Sequence, residues 1–275
     1  MTADRPPRVL VTNDDGVHAP GIRALARAAY ERGLDVVVAA PRHEASGMSA
    51  ALSAVTEDGR LVFGETELDG LPDVPAYAVA ASPAYIAVLA GLGVFGPVPD
   101  LLLSGINRGA NAGHAVLHSG TVGAALTAGN NGIPALAVSL DVLTPAASAG
   151  SGGAAIAVLD SVDDESRHWA TAAELAATLL PWLAEADPGT VLNLNVPDLP
   201  ADQVAGLRQA TLAPFGQVQV SVAERGEGFV RTAVEENAVR AVPGTDIAWL
   251  ADGYAAVTAI RALGHLPDVE LPVDR

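Results

Sequence analysis

The chain contains no cysteine, which excludes disulfides, thiolate metal sites and a cysteine nucleophile. Lysine is missing as well: all 15 basic residues are arginine. That removes Schiff-base chemistry, a P-loop lysine and Ser-Lys nucleophile pairs. An aspartyl mechanism of the haloacid-dehalogenase type, which recruits a lysine, is disfavoured on the same ground. Positive charge is scarce overall, with a net charge of −17 and no basic patch, so binding to a nucleic-acid polymer is not expected. Half of the residues are apolar, yet no uncharged run approaches the roughly 20 residues of a membrane span. The first five residues, Met1-Thr2-Ala3-Asp4-Arg5, are not of signal-peptide type, so the expected location is cytoplasmic, with no membrane partner. There is no Gly-x-Ser-x-Gly elbow, and the six histidines lack zinc-protease spacing.

What is present reads as alternating strands and helices. At 275 residues the chain can bury one large α/β core, or a core with a smaller appendage. Residues 8–12 and 35–40 read as strands around a helix at 22–32, a βαβ unit. Residues 51–80 are hairpin-like, with turns at Asp58-Gly59 and Asp69-Gly70. A helix at 84–92, a buried strand at 101–103, a long loop at 104–119, a helix at 120–128 and a strand at 135–139 follow. This alternation argues for an α/β fold, a mostly parallel sheet with helices on both faces. Residues 144–153 read as a mobile loop and 169–184 as a helix with Leu175, Leu179, Leu180 and Leu183 along one face. Residues 191–196 alternate like a strand leaving the sheet at Pro197. Beyond Pro200 the pattern thins, which divides the chain into an α/β core at 1–200 and a β-rich extension at 201–275.

Four stretches carry candidate chemistry. Val9-Leu10-Val11 runs directly into Asp14-Asp15-Gly16, placing two carboxylates at the carboxyl end of a strand, where ligands sit in open α/β sheets. Two carboxylates about 5 Å apart at an effective dielectric of about 20 repel by about 3 kcal/mol, so such a pair wants a proton or a cation. The other reading is a turn that only caps the next helix. Ser104-Gly105-Ile106-Asn107-Arg108-Gly109 follows another buried strand and offers Asn107 as a neutral oxygen ligand for a hard cation, or else only a turn-rich loop. Ser119-Gly120-Thr121 opens a helix of small residues: Ser119 suits an N-cap, and the free N–H groups of the first turn with the Thr121 hydroxyl can cradle an anion, Asn111 being a further donor. Ser46, after the second strand, is an acceptable oxygen ligand for Mg²⁺ or Mn²⁺, or closes a turn. Gly91-Leu92-Gly93-Val94-Phe95-Gly96 fits a dinucleotide fingerprint by spelling alone, since it follows a helix and runs into Pro97.

Taken together, residues 9–22, 39–53, 99–113, 119–125, 134–140 and 192–200, with Gly244-Thr245-Asp246 and Gly253-Tyr254, resemble the stationary-phase survival protein E (SurE) family of metal-dependent nucleotidases and phosphatases. The resemblance implies a Rossmann-like core whose C-terminal extension serves domain-swapped oligomerisation, giving a homodimer or homotetramer. It implies hydrolysis of nucleoside 5′- or 3′-monophosphates, with short polyphosphate as an occasional substrate. It implies one divalent cation per subunit, Mg²⁺ or Mn²⁺, held by Asp14, Asp15, Ser46 and Asn107. In that reading Asp14 is base or nucleophile, Asn107 and Thr121 complete the catalytic set, and Asn111, Ser119, Gly120 and Thr121 take the phosphate. Ala45 stands where the family usually has arginine, and Ala81-Ser82-Pro83-Ala84-Tyr85 replaces the usual Gly-Thr-Pro-x-Asp. The alternatives are a nucleotide-binding protein without turnover and an oligomeric scaffold.

Overall fold

The structure, a computed structural model, describes residues 5–45, 47–143, 163–216, 218–236 and 242–261. The expected loop at 144–153 and the candidate ligand Ser46 lie outside the described residues.

Strand β1 (Arg8–Thr12) sits near the middle of a nine-stranded sheet. Helix α1 (Pro20–Glu31) carries the chain from β1 to β2 (Asp35–Pro41), which pairs with β1 in parallel from Arg8↔Asp35 to Val11↔Val38. The helix starts at Pro20, where proline is preorganised for a first helical turn and loses no needed N–H. A small hairpin, β3 (Thr56–Glu57) and β4 (Arg60–Leu61), turns at Asp58 and Gly59, both with positive φ. Then β5 (Phe63–Thr66) pairs antiparallel with β6 (Ala76–Val79) at the sheet's edge, and α2 (Pro83–Gly91) follows.

Strand β7 (Leu101–Arg108) lies on the other side of β1 and runs well beyond the expected residues 101–103. Its second half is irregular: pairing with β8 (Ala135–Asp141) shifts between Ser104 and Asn107. Gly105 makes the shift sterically feasible, since its φ is +138° and a Cβ there would lie 2.3 Å from the Val138 carbonyl oxygen. The rest of the expected loop is a short 3₁₀ turn (Gly113–His118) leading into α3 (Gly120–Asn130). Helix α4 (Trp169–Ala184) occupies the expected residues.

Strand β9 (Val191–Pro197) does not leave the sheet: it is buried throughout, parallel to β8 and antiparallel to β13 (Ala255–Ile260). β10 (Leu207–Gln209) adds outside β13, giving the order β10-β13-β9-β8-β7-β1-β2-β6-β5. Six of the eight neighbouring pairs are parallel. α1 and α4 cover one face through Ile22, Leu25, Leu180 and Leu183 against Val9, Val11 and Leu103. α2 and α3 cover the other through Ile86, Val122 and Ala125 against Leu10, Val37 and Leu102. The fold is therefore the expected Rossmann-like α/β sandwich. Between β10 and the short helix α5 (Asp246–Ala251), β11 (Val218–Gly226) and β12 (Phe229–Glu236) form a separate antiparallel hairpin with Val222, Phe229 and Val230 exposed.

Candidate functional site

Strand order reverses at β1, whose neighbours β2 and β7 are reached by connections running to opposite sides, and this switch point opens a crevice at the strands' carboxyl ends. The cleft there has a volume of about 720 Å³, and Asp14, Asp15, Asn107, Asn111 and Ser119 all line it. Sequence positions up to 105 residues apart thus meet in one place. Asn13 shapes the turn below them, its side chain donating to the Gly16 carbonyl at 2.9 Å and accepting the Gly16 N–H at 3.2 Å, while Gly16 itself has φ +104°.

Asp14 is only 4% exposed. Its carboxylate accepts a short hydrogen bond from the Thr121 hydroxyl. Burial holds the carboxyl above the usual carboxylate range, and the Thr121 hydroxyl with the N–H groups of Asp14, Thr121 and Gly120 opposes that rise. Gly120 lies so close that a Cβ there would sit 2.7 Å from Asp14 Oδ2. The start of α3, read from sequence as a phosphate cradle, is therefore turned towards Asp14, and Thr121 is fully buried behind it rather than lining the cleft. Ser119 does cap the helix, accepting the Val122 N–H at 3.0 Å, and keeps its own O–H for a ligand.

Asp15 is pushed up to about 7, first by burial and then by the charge of Asp14; Glu44 and Asp164 add to this, and the backbone N–H of Arg108 opposes it. The repulsion foreseen between the two carboxylates is present but second to desolvation. Asn107 spends its Nδ2 on the Gly109 carbonyl at 2.7 Å, which leaves Oδ1 as the amide atom for a ligand. Among the described residues no cluster of three or more His, Cys, Asp and Glu side chains is placed to hold a metal. The donor set is two carboxylates and a neutral amide oxygen, all hard oxygen, which fits a cation of the Mg²⁺ or Mn²⁺ type and not a nitrogen- or sulfur-seeking one.

Asn111 is held from below by residues that gave no functional signal in the sequence. Its N–H donates to Asn195 Oδ1 at 2.8 Å and its Nδ2 to Ser139 Oγ at 2.9 Å, while Asn193 Nδ2 donates to its carbonyl at 2.8 Å. Asn193 and Asn195 are fully buried on β9. One Nδ2–H of Asn111 remains for a substrate oxygen. Among the described residues Arg108 is the one guanidinium lining the cleft, and its Nε lies 3.2 Å from Asp164 Oδ1. Arg167, with a side chain 2% exposed, clamps that wall by pairing with Asp164 at 2.9 Å and Asp198 at 3.1 Å. His118 lines the cleft and is exposed; His114 is exposed and does not line it. A further buried carboxylate, Asp246, accepts the Gly113 N–H at 2.7 Å from beneath the same loop.

No helix of the described residues is long and apolar enough to cross a membrane. Comparison with known proteins matches residues 9–217 to the family model described as survival protein SurE. The chain is 36% identical over 260 residues to the 5′/3′-nucleotidase SurE of Shigella dysenteriae serotype 1, covering 92% of this chain and 90% of that protein. The 5′/3′-nucleotidase SurE of Escherichia coli O127:H6 matches with the same identity and coverage. Among solved structures, the SurE protein from Aquifex aeolicus superposes with a TM-score of 0.71 at 28% identity, covering 93% of this chain and 94% of that one.

Proposed function

The chain belongs to the survival protein SurE family, and from that premise we propose that it is a metal-dependent phosphomonoester hydrolase releasing phosphate from nucleoside 5′- or 3′-monophosphates. The observation that carries this reading is the carboxylate pair Asp14-Asp15, set with Asn107 in one cleft at the sheet's switch point.

Phosphate transfer to water needs charge neutralised on the phosphoryl oxygens and a water held in line. Asp14, Asp15 and Asn107 would hold one Mg²⁺ or Mn²⁺, with Ser46 as the remaining oxygen ligand. A bound divalent cation supplies electrostatic neutralisation of the phosphoryl group and acidifies a water. Thr121 and the first N–H groups of α3 orient Asp14 as the carboxylate that accepts the proton of the attacking water. Ser119 and Asn111 donate to the phosphoryl oxygens, with Arg108 at the rim. The chain is further proposed to act in the cytoplasm on free nucleotides, as a homodimer or homotetramer built through the region after residue 200.

The test is phosphate release from nucleoside monophosphates. Activity should vanish in EDTA and return with Mg²⁺ or Mn²⁺. Full activity in chelator would overturn the metal assignment, and no release with any divalent cation would overturn the hydrolase reading.

A further inference from the structure

Asp246 is fully buried on α5, and the cleft chemistry above does not use it. Its Oδ2 accepts the Gly113 N–H at 2.7 Å. Its Oδ1 accepts the Ala213 N–H at 2.9 Å and its neighbour Ile247 N–H at 2.9 Å. Ala213 and Asp246 stand at the two feet of the β11–β12 hairpin. Backbone bonds close that base, Thr211 N–H to Gly244 at 3.1 Å and Asp246 N–H to Thr211 at 2.9 Å. Gly113 is pressed into the same base: its φ is +55°, and a Cβ there would lie 1.9 Å from the Phe215 carbonyl oxygen. Gly113 is two residues after Asn111 and opens the 3₁₀ turn that ends at His118, just before Ser119, so it lies between the two cleft residues assigned to phosphate.

Neither Gly113 nor Asp246 lines the cleft. We propose that Asp246 is a positioning residue for the reaction, an inference resting on the reading of Asn111 and Ser119 as phosphate ligands: it fixes the 111–119 loop to the base of the hairpin, so the phosphate donors are aligned only while that base is closed. A charge-assisted bond to a backbone N–H has the strength and geometry for this, whereas the other anchors of Asn111 come from β8 and β9 and do not reach the hairpin.

Asp246→Asn keeps an Oδ1 for Ala213 and Ile247 but sets an amide donor against the Gly113 N–H. Losing one buried charged bond corresponds to roughly 10- to 100-fold. Phosphate release per metal-loaded chain should fall by that factor and inhibition by inorganic phosphate should weaken. The calorimetric affinity for Mg²⁺ should stay as in the wild type, because Asp14, Asp15 and Asn107 lie outside the tethered loop. Unchanged turnover, or equal losses of metal and phosphate binding as expected of a merely structural role, would overturn the proposal. Amide exchange on the wild-type protein gives a second measure that needs no variant to fold. Mg²⁺ with inorganic phosphate should slow exchange at Gly113 and Ala213 together, and an unchanged Ala213 overturns the link. A wild-type chain that hydrolyses no nucleoside monophosphate would sink the functional reading instead, and the exchange result would still decide the tether.

Discussion

Asp15 shows how a single carboxyl can record what its pocket is built to hold. Burial and the neighbouring Asp14 push it up to about 7, so in metal-free protein the folded state keeps a proton that the unfolded chain releases near the ordinary aspartate value. The sign follows directly: this group's contribution to stability is present in full below about pH 4 and is lost as pH rises towards 7. In chelator, urea unfolding of Asp15→Asn compared with the wild type should therefore show a stability gain that grows from pH 4 to 7 and then levels. A difference independent of pH would contradict the assignment. Individual residues were unequally readable beforehand. Asp14, Asp15 and Ser119 announced themselves because they stand at strand or helix ends, where local rules apply. Thr121 stands at the expected helix start with its hydroxyl on Asp14, a partner the sequence does not indicate, since nothing local tells whether a helix start serves a ligand or a neighbouring side chain.

Helix α3 meets the β1 turn with no space to spare, and that contact makes its first residue a test of the whole element. The Cβ of Gly120→Ala would fall 2.7 Å from Asp14 Oδ2 and 2.9 Å from Asp14 Cβ, so either the helix or the carboxylate must move. Overpacking of this kind costs about 1–3 kcal/mol. A displacement near 1 Å at the reacting groups costs about 10²-fold in turnover. The expected outcome is a folded protein with weakened calorimetric Mg²⁺ affinity and turnover reduced by that order; wild-type values for both would show that the contact is slack. The elements themselves were readable where apolar period and end signals agreed, as at 169–184. They were misread where polar residues are buried. Ser104, Gly105 and Asn107 look like loop but continue β7, and Asn193 and Asn195 look like the outer face of a departing strand but sit fully buried under Asn111. A buried amide satisfied by a partner 82 or 84 residues away leaves no trace in local sequence.

The hairpin stands apart from the nine-stranded sheet, while β10 and β13 on either side of it in sequence belong to that sheet. Exposed apolar residues on a two-stranded ribbon, Val222, Phe229 and Val230, are unfavourable in isolation and suit burial against another copy. Replacing residues 218–236 with a short Gly-Ser link should lower the mass seen by light scattering while far-UV circular dichroism keeps the α/β signature. An unchanged subunit number would contradict the proposed contact through the hairpin. Cutting the chain at residue 244 is a different experiment, because it also strips β13 from beside β9.

The order of strands has one more consequence, which concerns how the protein is made. Gly113 and the carboxylate that holds it are 133 residues apart. At ribosomal speeds of about 5–20 residues per second, roughly 7–27 s separate their synthesis. Through that interval β1, β2 and β7 can already pair and the Asp14-Asp15 turn can form, yet the loop carrying Asn111 and Ser119 has no anchor from α5. A nascent chain can thus form its acidic pocket before α5 anchors the loop beside it, and on the proposed tether full turnover waits until Asp246 has been synthesised.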